Sequence, residues 1–235
     1  DMIDACREYG VEPIVTLHHF TSPRWFAEAG GFLADDAPER FAAYVNACCD
    51  ILGDIDWVVT INEPYILALF SRAFEAPPQD SPTIAMATLP TPSLDFARRI
   101  AAVHRAAVAV IRERTSAKVG WAIAAQAFTP TPGNDEVFER VFHAWEGAYY
   151  EASAGDDFVG VQSYTSQPVD TNGPVPHPED PGNTMVGGAY RPDALGINLR
   201  RVADSYQRLA VTTAGDVDDA AALAWSQIPL ANYSL

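Results

Sequence analysis

Basic residues are scarce in this chain. Its 235 residues hold 15 Lys and Arg against 31 Asp and Glu, a formal net charge of −16. Such a balance argues against nucleic acid and anionic membranes as partners, because phosphate recognition needs the opposite sign. Cysteine is scarce too, with only Cys6, Cys48 and Cys49, an odd number of which two are adjacent in a helical pattern. A disulfide framework is therefore not expected, and a reducing cytoplasm is the compartment that fits. No apolar run reaches membrane-spanning length and no secretory leader is visible. No Gly-rich phosphate loop follows any strand pattern, which weighs against a nucleotide-binding sheet. The His and Cys residues show no metal-ligand spacing, so no metal and no cofactor is expected.

What is present is ample core material, 48% hydrophobic residues with 20% charged, suited to a single domain over 1–235. Asp1 already lies inside a helical pattern, so residues upstream of it are expected. Helix and strand patterns alternate from there. Apolar, β-branched runs predict strands at 11–17, 57–61, 118–125, 157–164 and 209–213, with a last apolar piece around Trp225. Between them, helical periodicity predicts helices at 38–52, 93–115, 135–152 and 192–209. The stretch 64–92 is Pro-rich and reads as irregular after a short apolar start, Ile66–Phe70, that suits a helical turn, and 165–191 reads as a long loop rich in Pro, Gly and Asp. Alternating βα units predict an α/β fold with a parallel sheet, and a (β/α)8 TIM-barrel-like arrangement, about six units of it, is preferred to a doubly wound sheet.

The residues at the strand exits carry the chemistry. Trp57-Val-Val-Thr-Ile-Asn62-Glu63-Pro64 is the most informative stretch, because Pro64 ends the strand and leaves a carboxylic acid at its exit. In parallel α/β proteins that end of the sheet is where ligands bind. A Glu there, with an amide just before it, is placed as a general acid or base. His18 and His19 follow the first strand, Gln162, Ser163 and Tyr164 the fourth, and Thr212 and Thr213 the fifth, with Trp225 near the end. A histidine, amides, a carboxylic acid and aromatics converging on one cavity suit a sugar. The bland reading assigns His18 to packing and His104 and His143 to core or surface, and treats the acidic run at 216–219 as a solvated helix start.

These motifs carry a resemblance. Pro13-Ile-Val-Thr-Leu-His-His19-Phe20, Gly30-Gly31-Phe32, the segment from Trp57 to Pro64, Asp157-Phe-Val-Gly-Val-Gln162-Ser-Tyr164-Thr165 and Tyr190-Arg-Pro-Asp-Ala-Leu195 occur in the order found in glycoside hydrolase family 1. That family comprises β-glucosidase and β-galactosidase barrels. The resemblance implies a retaining mechanism with two glutamates about 5 Å apart. It implies that Glu63 is the general acid/base and that Asn62 contacts the sugar 2-hydroxyl. It further implies that His19 binds the sugar, that Tyr164 supports the nucleophile and that Trp225 is the platform under the sugar; Gln162, from its strand exit, is expected to bind substrate beside them.

Departures from the pattern are equally informative. Where the family places its nucleophile glutamate, this chain reads Thr212-Thr213-Ala214-Gly215, which puts Thr213 at the nucleophile position. A threonine with no adjacent base is a poor nucleophile. A loop tryptophan falls at Gly188, an asparagine at Ala124 or Ala125, and the sugar-gripping glutamate at Ser234. The first two barrel strands have no counterpart, so a missing segment, a partner chain or self-association is expected to cover the open edge. The expected function is β-glycoside hydrolysis, impaired or altered. The alternatives are a non-hydrolytic sugar- or small-molecule-binding barrel, and a barrel that uses Glu63 for acid/base chemistry on another substrate.

Overall fold

The computed structural model describes residues 2–73, 91–184, 187–213 and 221–226. In chain order the elements begin with α1 (Met2–Glu8), β1 (Ile14–His18), α2 (Arg24–Glu28), α3 (Ala37–Leu52), β2 (Trp57–Asn62), α4 (Pro64–Ala73) and α5 (Leu94–Arg114). They continue with β3 (Lys118–Ala125), β4 (Thr129–Pro130) and α6 (Asp135–Phe142), a π turn at His143–Gly147, then α7 (Ala148–Ala152) and β5 (Phe158–Ser163). The last are β6 (Pro168–Asp170), β7 (Gly173–Pro174), α8 (Ala194–Thr213) and β8 (Ala221–Ser226).

A parallel sheet of five strands in the order β1-β2-β3-β5-β8 is the frame. Its central strands are apolar throughout because both faces are covered, and every residue of β3 from Val119 to Ala125 is buried. On the helix side lies a continuous core, with Phe41, Val45 and Leu52 of α3 and Ile100, Val103 and Ile111 of α5 packed over Val58, Ile61, Trp121 and Ile123. Each of these fully buried side chains contributes roughly 1.5–3 kcal/mol. The other face carries a small cluster of Val59, Ala122 and Phe158 with Ile14 and Trp57. Gly120 lets β3 and β5 close together there, since a Cβ at that position would lie 2.1 Å from the Phe158 carbonyl oxygen.

Helix and sheet are bolted by a buried polar group. His104 of α5 bonds the Thr60 hydroxyl through Nδ1 at 2.7 Å and Asp156 through Nε2 at 2.9 Å. Its ring stacks on Trp121 at 4.0 Å. Polar demand on both edges and an aromatic plate on one face explain why a histidine tolerates complete burial.

Three sequence expectations are corrected. Residues 209–213 are the last turns of α8 rather than a strand. The β-branched run Val211-Thr212-Thr213 suggests a strand, but no Gly or Pro interrupts Ile197 to Ala214, and Leu199, Val202, Tyr206, Leu209 and Thr213 keep one helical stripe. The strand beside β5 is instead Ala221–Ser226, in register from Phe158↔Ala221 to Ser163↔Ser226. Thr213 also lies at the wrong end of the sheet. Asn198, near the start of α8, bonds the exits of β3 and β5, and the helix then runs about 22 Å back before reaching Thr213. The stretch 165–191 also holds β6 and β7, which join β4 in a small second sheet.

Candidate active site

Backbone conformation at the exit of β2 places the carboxylic acid. Val59 is in register with Gly120 and Asn62 with Ala122, so β2 carries one residue more than β3 over that stretch. Such a bulge twists the strand and re-aims the side chains beyond it. Glu63 then adopts φ 47°, and its N–H donates to the Ala122 carbonyl at 2.7 Å. A left-handed glutamate immediately before a proline is strained by about 1–3 kcal/mol. Pro64 comes next as the first residue of α4, where its missing N–H costs nothing. Phe20, beyond β1, and Ala127, beyond β3, are also left-handed, so three neighbouring strands leave the sheet through the same backbone state.

Four side chains meet at this rim. Glu63 is only 8% exposed. Tyr164, one residue past β5, places its hydroxyl 2.7 Å from Glu63 Oε1 and 2.9 Å from Gln162 Oε1. Gln162 Nε2 donates to Asn62 Oδ1 at 2.6 Å, completing a chain across β2 and β5. Burial raises the Glu63 pKa, opposed by the Tyr164 hydrogen bond and by the His19 charge. The Tyr164 phenol is pushed upward as well, first by burial and then by Glu63. Glu63 is thereby biased toward its acid form, as proton donation requires.

Of the expected site residues, the structure gathers Asn62, Glu63, Gln162 and Tyr164. His19 stands solvent-exposed at the β1 exit, near enough for its charge to act on Glu63. The Cα register of β8 pairs Trp225 with Gln162, at the same rim. Thr213 does not belong to this group. Tyr164 was expected to support a nucleophile and bonds Glu63 instead; among the described residues no carboxylate acts on Glu63. Ser234 lies outside the described residues. His18 turns away, its Nε2 sharing a hydrogen bond with the Ser22 hydroxyl at 3.0 Å and its ring packing edge-on against Phe32. Burial takes its pKa down to about 4. It lines a 150 Å³ cavity with Trp25, Phe26, Phe41 and Tyr44, none of which belongs to the Glu63 group.

Sequence reasoning missed the layer beneath. Tyr65 is fully buried, and its hydroxyl accepts from Gln126 Nε2 at 3.2 Å. The Gln126 N–H in turn donates to Glu146 Oε1 at 2.9 Å. Glu146 sits in the π turn, fully buried, with its pKa pushed up to about 7 chiefly by burial. Asn198 accepts from the Ala127 N–H and donates to Ala125 and Ser163, pinning the exits of β3 and β5. The available signal was a lone Glu amid Trp145, Tyr149 and Tyr150. Among the described residues no group of His, Cys, Asp or Glu is arranged to hold a metal, and no helix is long and apolar enough to cross a membrane.

Known proteins match this arrangement. The sequence profile of glycosyl hydrolase family 1 matches residues 1–198. A chloroplastic β-glucosidase-like protein of Oryza sativa subsp. japonica is 25% identical over 221 residues, which is 89% of this chain and 34% of the rice protein. A 6-phospho-β-galactosidase of Lacticaseibacillus casei is 38% identical over 64 residues, 27% of this chain and 14% of that enzyme. Among solved structures, a β-glycosidase superposes with a TM-score of 0.70 at 26% identity, covering 95% of this chain and 65% of that one. The β-glucosidase of Thermotoga maritima shares the fold, with a TM-score of 0.70 at 21% identity over 87% of this chain and 53% of its own. The chain thus spans about half to two thirds of these structures, and its fold is that of the family's β/α barrel. The strand order, the exit of β2 at Asn62-Glu63-Pro64 and the profile match agree, and the chain belongs to glycosyl hydrolase family 1.

Proposed function

We propose that this chain carries the acid half of a β-glycosidase site, with Glu63 as the proton donor to the leaving-group oxygen of a β-glycoside. The observation that supports it is a buried carboxylic acid at a parallel-strand exit, hydrogen-bonded by Tyr164 and biased toward protonation. As the bond from the anomeric carbon to the aglycone oxygen breaks, the Glu63 proton passes to that oxygen and the aglycone departs as an alcohol. Asn62, His19 and Trp225 would receive the sugar at the same rim. Retention of configuration needs a second carboxylate about 5 Å from the first. None among the described residues acts on Glu63, so the sugar cation is captured by water or an added anion and turnover is low.

The test separates acid from nucleophile. An alkyl β-glucoside, a poor leaving group, should lose about 100-fold or more on Glu63→Gln, and a dinitrophenyl β-glucoside much less. Azide should accelerate turnover of the dinitrophenyl substrate and yield a glycosyl azide of inverted configuration. Equal loss on both substrates would refute Glu63 as the acid. That no carboxylate among the described residues acts on Glu63 favours one other reading, a barrel that binds sugars without cleaving them. That reading gains if azide has no effect while glucose-like ligands still bind saturably.

A further inference from the structure

The Tyr164 hydroxyl has one hydrogen and two acceptor oxygens within reach, Glu63 Oε1 and Gln162 Oε1. With the Gln162 and Asn62 amides oriented as they are, both contacts are satisfied only if Glu63 supplies the second hydrogen. The Glu63 carboxyl then donates to the phenol, the phenol donates to Gln162 Oε1, and Gln162 Nε2 donates to Asn62 Oδ1. All three donors run in one direction from β2 to β5 and back. With Glu63 ionised the phenol hydrogen must turn to the carboxylate. The phenol and Gln162 oxygens would then face each other at 2.9 Å, unless the amides of both Gln162 and Asn62 turned over.

We propose that Gln162 and Tyr164 are positioning residues that hold the proton on Glu63: Gln162 takes the phenol's hydrogen, which leaves the Tyr164 oxygen as acceptor for the Glu63 acid. The proposal rests on the reading of Glu63 as a proton donor and adds how the proton is kept there. It reverses the simpler account in which Tyr164 donates to a carboxylate. Burial acts in the same sense, since a neutral acid with its hydrogen placed is less costly in this rim than an anion. The ionisable groups facing Glu63 are Tyr164 beyond β5, His19 beyond β1 and Tyr65 on α4, with Glu146 acting on Tyr65. His19 favours the anion, so the network opposes it.

The two hydrogen-bond directions predict opposite signs, which makes the test decisive. The full chain, labelled with 13C at glutamate carboxyls, is titrated by NMR without substrate, and the Glu63 signal is assigned by its loss in Glu63→Gln. Tyr164→Phe removes the acceptor of the acid's hydrogen and should lower the Glu63 midpoint. Gln162→Leu frees the phenol hydrogen to turn toward the carboxylate and should lower it too. A midpoint that rises in Tyr164→Phe overturns the proposal, as does one that stays put in Gln162→Leu. If Tyr164→Phe fails to fold, the Gln162→Leu titration decides alone. Because no substrate is present, this outcome is independent of whether the chain hydrolyses glycosides, which the alkyl glucoside assay reads separately.

Discussion

Replacing Glu146 by Gln should stabilise the protein, by an amount that grows from nothing near pH 4.5 to its full value above about pH 7. Glu146 is 1% exposed in the π turn, with Oε1 taking the Gln126 N–H at 2.9 Å and Oε2 3.3 Å from the Tyr150 hydroxyl. Burial lifts its pKa to about 7, although those bonds and the Arg201 charge oppose the rise. In the unfolded chain the same side chain ionises near 4.5. Its contribution to stability is therefore whole below 4.5 and is lost as pH rises toward 7, because the unfolded state ionises first. The gap corresponds to about 3 kcal/mol, an upper bound that local relaxation reduces. A glutamine keeps the oxygen for Gln126 and offers an N–H to Tyr150, yet cannot ionise. Urea unfolding at pH 4.5 should thus give nearly equal midpoints for the two proteins, and at pH 8 the variant should exceed the parent by roughly 2–3 kcal/mol. A difference that does not change between those pH values would refute the reasoning and mean that Glu146 is not held neutral by its surroundings.

Other perturbations test the frame. His104→Ala leaves Thr60 and Asp156 without their buried partner and Trp121 without its stacked ring, and should cost about 3 kcal/mol in urea unfolding; a loss under about 1 kcal/mol would show that the pair is idle. Gly120→Ala drives a methyl group against the Phe158 carbonyl and should cost about 3 kcal/mol or more, read as a lowered Tm or as insoluble protein. Thr213→Glu should leave glycoside turnover unchanged, because position 213 lies at the far end of the sheet from Glu63. A gain of activity in that variant that vanishes with Glu63→Gln would put position 213 beside Glu63 and refute this reasoning.

The sheet was legible where burial leaves one option. Val119 to Ala125 and Phe158 to Val161 are apolar because both faces are covered, and runs that short, set off by the flanking turns, are too brief for a buried helix. Residues 209–213 were not legible, because β-branched residues at a helix end look like a strand when read five at a time. The helical stripe that decides the matter begins ten residues earlier, at Leu199. The gathering of Asn62, Glu63, Gln162 and Tyr164 followed from strand exits sharing one end of a parallel sheet. Their hydrogen bonds did not. The one-residue bulge in β2 and the left-handed turn at Glu63 decide which atom Tyr164 meets, and neither leaves a mark in composition or period. Glu146 was hidden for another reason, since one of several carboxylates in an aromatic-rich helix is read as surface unless its partner Gln126, just past β3, is already known.

The left-handed exits at Phe20, Glu63 and Ala127 have a consequence for how this sequence can drift. Each holds a backbone state that side chains other than glycine and asparagine resist. Positions 20 and 127 can be relieved by substitution at no chemical loss. Position 63 cannot, because the residue that relaxes the chain also removes the acid. Random change therefore pushes all three sites toward glycine, and only a requirement for proton transfer holds the middle one back. In descendants that abandon the chemistry, Glu63 should be among the first residues of the rim to go.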